Sequence, residues 1–106
     1  MRRRRMSRDV AIAVAKVART NPDFVNDLRD DPSQQHIYNY VRSVLTNDEI
    51  KAWCKAERVT DHHELMDRLK TEKPEWFEHL NENPGSKVFI AVWLERSAWA
   101  KEKDRT

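Results

Sequence analysis

VLTNDEIKAWCKAERVTDHHELMDRLKTEKPEWF, residues 44–77, decides how this chain is read. It carries three helix starts in a row. Thr46 followed three residues on by Glu49 is a capping box, and Asp61 with Glu64, beside Thr60, is a second. In Lys73-Pro74-Glu75 the proline sits where a first helical residue tolerates it, because that amide has no helical partner. Between the starts the apolar residues keep helical spacing. Ile50, Trp53 and Cys54 form one face, Leu65, Met66 and Leu69 the next, and Trp76, Phe77 and Leu80 the third. Isolated helices shorter than ~12–15 residues are marginal in water, so these must pack on one another and on their flanks.

Working outward, residues 1–7 hold four consecutive arginines and nothing to bury, which reads as a disordered basic tail. The first helix starts at Ser7 or Arg8, with Val10, Val14 and Val17 along it. Asn21-Pro22 interrupts it, since the residue before proline is pushed out of the helical region. Asn21 caps a continuation that buries Phe24, Val25 and Leu28. Asp31-Pro32 repeats that start, and Ile37, Tyr40, Val41, Val44 and Leu45 follow at helical spacing. Asn81-Glu82-Asn83-Pro84-Gly85 is the strongest turn signal. Ser86 then caps a last helix over 87–101. Its run VFIAVWL is apolar on every side, so it reads as a central, deeply buried helix; a buried strand has the same periodicity. The expectation is a single helical domain over 8–103.

Composition narrows the function classes. The 106 residues allow one domain with a modest core. Charged residues make up 36%, yet 20 basic and 18 acidic nearly cancel to +2, which suits meeting other charged surfaces better than coating nucleic acid. One cysteine excludes an internal disulfide and fits a reducing, cytoplasmic setting. The apolar run 88–94 is too short to span a bilayer, so no membrane is expected. With one glycine in the chain no glycine-rich phosphate cradle exists, and there is no GxSxG elbow, HExxH or CxxC. His36, His62, His63, His79 and Cys54 lack metal-ligand spacing, and His63 with Asp67 reads as a surface hydrogen bond. Cys54 reads as a small buried hydrophobe. Asp30-Asp31 and Asp48-Glu49 sit at helix starts, where the helix dipole accounts for them. A helix-turn-helix over 50–69 is disfavoured by Glu57-Arg58 in its turn and by an acidic second helix. The expectation is a protein that is not an enzyme and holds no cofactor.

Taken in order, Val44-Leu45-Thr46, Asp48-Glu49, Thr60 with Glu64-Leu65-Met66-Asp67-Arg68-Leu69, Lys73-Pro74 and Trp76-Phe77 resemble a caspase recruitment domain, sharply over 44–80 and loosely over 25–95. In that family a VLT-x-(D/E)-E stretch opens helix three, a T…LLD-x-L stretch forms helix four, and a KG…F or RPGW stretch opens helix five. Pro74 replaces the usual glycine, and the break at Asn21-Pro22 is similar to that family's kinked first helix. The resemblance implies a six-helix antiparallel Greek-key bundle, the death fold. It implies an adaptor or regulator in apoptotic or innate immune signalling, whose partner is another death-fold domain or a second copy. The contacts would join a basic face, Arg8, Lys16, Arg19, Arg68 and Lys70, to an acidic face, Asp27, Asp30, Asp31, Asp48, Glu49 and Glu57. Such faces steer encounter and fix register more than they add affinity. The alternative is a small helical nucleic-acid- or complex-binding protein of phage or plasmid type, with Arg2, Arg3, Arg4 and Arg5 neutralising phosphates.

Overall fold

The computed structural model describes residues 6–104, and all of their regular structure is helical. Seven α-helices occur among them: α1 Arg8–Thr20, α2 Pro22–Asp30, α3 Gln35–Glu57, α4 His62–Glu72, α5 Pro74–Glu82, α6 Pro84–Glu95 and α7 Ala98–Asp104. A 3-10 turn, Pro32–Gln34, precedes α3. The chain forms two compact units, Met1–Leu45 and Thr46–Thr106. The expected arginine tail, and with it Arg2 to Arg5, lies outside the described residues.

In the first unit the start signals act as read. The Val10 amide donates to Ser7 Oγ at 3.2 Å and the Phe24 amide to Asn21 Oδ1 at 3.1 Å. Asp31 Oδ1 accepts from the amide and the hydroxyl of Ser33, at 3.0 and 2.7 Å. Each side chain satisfies a helix-start donor that has no partner in its own helix. Ala18, Leu28 and Val41 are buried together, with Val14, Phe24, Val25, Ile37, Tyr38, Tyr40 and Leu45 packed on them. The face expected on α1 is only half used. Val14 reaches the core, but Val10 and Val17 stay 47% and 42% exposed while Ala15 and Ala18 are buried. Small residues bring a helix backbone closer to its neighbour, so the seam follows the alanines.

The largest departure from the sequence reading is α3. The capping box at Thr46 and Glu49 does not start a helix, because α3 runs unbroken from Gln35 through both. A cap needs an extended backbone at the capping residue. From residue 33 to residue 57 the chain has no proline or glycine to force one. A threonine in mid-helix weakens a helix only slightly. The helix stops at Arg58, which adopts a left-handed backbone with φ 52°. The Val59 amide bonds the Cys54 carbonyl at 3.0 Å and the Arg58 amide bonds that of Lys55 at 3.4 Å. This is a Schellman end, with Val59 and Cys54 supplying its apolar contact; both are fully buried. The glycine missing from Glu57-Arg58 therefore did not prevent a tight left-handed turn there. Arg58 takes the conformation at a cost of roughly 1 kcal/mol.

The second unit keeps two of the expected starts. Asp61 Oδ2 accepts from the amides of His63 and Glu64, at 3.0 and 3.1 Å, and Pro74 opens α5. All three expected faces meet in one core. Ile50, Cys54, Val59, Leu65, Leu69, Leu80, Ile90 and Leu94 are fully buried, with Trp53, Met66, Trp76, Phe77, Trp93 and Trp99 against them.

Its C-terminal part differs from expectation in three respects. The turn over 81–85 shrinks to Asn83, which ends α5 and starts α6. Pro84 presets a helical φ, so α6 begins there rather than at Lys87, and Ser86 lies inside the helix instead of capping it. The helix expected over 87–101 is broken. Ser97 Oγ donates back to the Trp93 carbonyl at 2.8 Å, and the chain restarts at Ala98. After the break the Trp99 indole donates to the Val59 carbonyl and Ala100 is buried. Finally, α6 is not deeply buried. Ile90 and Leu94 are enclosed, but Val88 is 63%, Phe89 50% and Val92 40% exposed. A helix apolar all round needs neighbours on every side. The short helices α4, α5 and α7 that pack on α6 cover one part of it and leave this stripe bare.

Candidate interaction surface

The bare stripe is built by helical spacing. Val88, Phe89, Val92 and Arg96 follow one another at one, three and four residues, which puts them along one side of α6 and its end. Phe89, Val92, Trp93 and Arg96 line a hollow of about 440 Å³. Lys51 of α3 lies over two of its rings, with Nζ 5.2 Å from the Phe89 centroid and 5.5 Å from that of Trp93. A lysine over aromatic faces gains from their quadrupole and covers them with its apolar stem. Trp93 is fixed from behind by an edge-on contact with Trp99 at 5.3 Å. The hollow thus has rigid aromatic walls, two cations on it and no carboxylate, nucleophile or general base among its lining residues.

One end of α6 is held by a polar network. Asn47 Nδ2 donates to Ser86 Oγ at 3.1 Å, and Asn47 Oδ1 lies 3.0 Å from His79 Nε2. Asn83 Nδ2 donates to the His79 carbonyl at 2.8 Å and lies 3.3 Å from Nδ1 of the same ring. With Nε2 carrying the proton, a neutral His79 donates to Asn47 and accepts from Asn83. Burial lowers its pKa, opposed by Glu82. His62 is also lowered, mainly by burial and then by Lys87; its Nδ1 is buried with no hydrogen-bond partner. Burial pushes the Cys54 thiol up to about 12, opposed by Arg68.

Among the residues read as two unlike faces, one pair is joined. Arg68 and Glu57 were expected on opposite faces, and the structure pairs them. Arg68 Nη2 is 2.6 Å from Glu57 Oε1 and Nε is 2.8 Å from Glu72 Oε2, with the guanidinium 4.7 Å from the Trp53 ring centroid. The reason is register. Four residues separate Arg68 from Glu72 on α4, and the α3 end brings Glu57 alongside, so the cation is satisfied within its own unit. Lys70 and Glu49 are exposed and Asp48 is half-buried. In the first unit Arg8, Lys16 and Arg19 are exposed on α1, and Asp27, Asp30 and Asp31 on α2 and its end. Asp30 accepts from Arg29 Nε at 3.0 Å. Asp27 and Asp31 join Val14, Phe24 and Leu28 around a second hollow of about 370 Å³.

Reading the sequence missed Phe89, Val92, Trp93, Arg96 and Lys51 as a surface, because VFIAVWL looked like core. The available signal was the shortness of the helices around it, too short to enclose a helix on every side. Among the described residues no group of three or more His, Cys, Asp or Glu side chains is placed to hold a metal ion. None of the described helices is long and apolar enough to cross a membrane. No protein family, curated protein or solved structure matches this chain.

Proposed function

We propose that this chain is a protein–protein interaction module and that the bare side of α6 is where it docks. The observation that carries this is the contiguous exposure of Val88, Phe89 and Val92 beside a ring-walled hollow. Each of these side chains, about half exposed, forfeits roughly 1 kcal/mol of burial, about half of what full burial gives. Single exposed residues of this kind are ordinary, but a stripe rimmed by charge is the usual mark of a binding surface. Aromatic and arginine side chains, which supply the walls and rim here, are also the types that dominate interface energetics.

The narrower reading, a caspase recruitment domain making homotypic contacts, draws support from the break at Asn21-Pro22 and from the α4 and α5 starts. The unbroken α3 counts against it, because the family's third helix would begin at Thr46. The pairing of Arg68 with Glu57 also removes one cation from the proposed basic face. The proposal therefore rests on the α6 surface and not on homotypic pairing. A photoreactive residue at Val92, introduced in the cells that make the protein, should give a discrete crosslinked adduct. The same residue at Lys70, away from the stripe, should not. Equal labelling at both positions, or none at Val92, would refute the docking reading.

A further inference from the structure

We infer that the occupant of the α6 hollow is an acidic amphipathic helix of another protein, with apolar side chains at helical spacing flanked by Asp or Glu. The inference rests on the reading of α6 as a docking surface and adds the chemistry of the partner.

The apolar stripe asks for a partner with an apolar face about two turns long, which an amphipathic helix lying along α6 supplies. The charge of that helix follows from the rim. The charged side chains set on the hollow are Lys51, over Phe89 and Trp93, and Arg96, in its lining. Lys87 precedes the stripe, and Glu95 is the sole carboxylate within α6. Glu95, seven residues after Val88, and Lys87, one before it, set opposite charges at the Val88 edge of the stripe, outside the hollow's lining. Asp48 lies one turn before Lys51 on α3, outside the hollow's lining. Removing two cations from water beside an apolar partner is costly unless the partner brings carboxylates to meet them.

The same argument weighs against a second copy. The other exposed large apolar side chains among the described residues are on α1, with Val10 and Val17 on one side and Ile12 on the other. That helix carries Arg8, Lys16 and Arg19 against Asp9, three basic residues to one acidic. Seating it on the hollow would set like charge on like. A two-fold contact of α6 on α6 would bring Lys51 and Arg96 towards their own copies.

The test is selection from a displayed library of helix-biased peptides, unbiased in charge, panned on the full chain and counter-panned on Phe89→Asp. The expected winners have apolar residues at helical spacing and a net negative charge. They lose about tenfold in affinity on the Lys51→Glu/Arg96→Glu variant, as two reversed rim charges imply. Synthetic copies with Glu exchanged for Lys should regain binding to that variant, and this rescue shows that the variant is folded. Winners that are neutral or basic, or that ignore the charge reversal while still requiring Phe89, overturn the acidic-helix inference and leave the docking surface standing. If no peptide survives the counter-pan, both readings are overturned. If light scattering shows a wild-type dimer that Phe89→Asp converts to monomer, the occupant is a second copy and the inference is wrong.

Discussion

Mild acid should loosen the unit that holds His79. With the proton on Nε2, its ring donates to Asn47 Oδ1 and accepts from Asn83 Nδ2, and burial holds its pKa below the ordinary 6.5. A second proton on Nδ1 would face the Asn83 amide, itself a donor, so the charged ring loses one hydrogen bond and meets a repulsion. The unfolded chain takes up that proton near pH 6.5, before the folded one does. Stability is therefore complete above that value and falls as the pH drops from about 6.5 towards the folded pKa. The ceiling on the slope is about 1.4 kcal/mol per pH unit for each histidine. His62 shifts in the same direction, so the two together could reach about 2.7 kcal/mol per unit. Water still reaches both rings, so the slope stays below that ceiling. The four tryptophans all belong to this unit, so urea unfolding followed by tryptophan fluorescence reports on it directly. With an m-value of about 1 kcal/mol/M, the midpoint should fall between pH 6.5 and 5.5, by less than the roughly 2.7 M that the ceiling sets. His79→Gln, neutral throughout, should remove roughly half of the slope. A flat wild-type profile, or a variant slope equal to that of the wild type, would refute the reasoning.

Three further outcomes follow from the packing. Leu69→Ala should cost ~2–5 kcal/mol by denaturant titration, because Leu69 is fully buried among rigid neighbours, and a cost below about 1 kcal/mol would mean the site collapses around the gap. Arg68→Glu should lower the urea midpoint more than Arg68→Met does, since it sets a third carboxylate beside Glu57 and Glu72 over the Trp53 ring; equal midpoints would show that the ion pairs add nothing. Cys54 should resist a thiol reagent at about pH 8 in the native state and react at once in urea, because its thiol is buried and its pKa is raised to about 12; fast native labelling would contradict its place in the core.

Local chemistry was legible in the sequence wherever one residue settles it. Asn21 and Asp61 cap the helices they were read to cap, Pro22 and Pro74 open theirs, and the helix read as starting at Ser7 or Arg8 has Ser7 as its cap. A side-chain oxygen near bare amides, or a ring that fixes φ, acts over one turn and needs no distant partner. The apolar faces of α4 and α5 were readable for a related reason, since helical period alone fixes which side of a short helix is buried. Thr46 and Ser86 show the limit. Their sequences permit a cap, but each lies where a helix already passes, and the cooperativity of an uninterrupted hydrogen-bond ladder outweighs one optional bond.

The docking surface lies beyond that limit. Val88, Phe89 and Val92 are as apolar as Ile90 and Leu94, and no property of VFIAVWL tells the exposed set from the buried one. What separates them is which side of α6 the neighbouring helices reach, and that depends on the early start at Pro84 and the break at Ser97. Likewise the sequence placed Arg68 and Glu57 eleven positions apart with opposite charge, and only the left-handed turn at Arg58 folded one back on the other. Composition and period determined that this chain is helical and where most of its helices begin. The tertiary structure decided which apolar residues stay in water and which charges remain for a partner, because burial and pairing belong to the neighbours a residue meets in space and not to the residue itself.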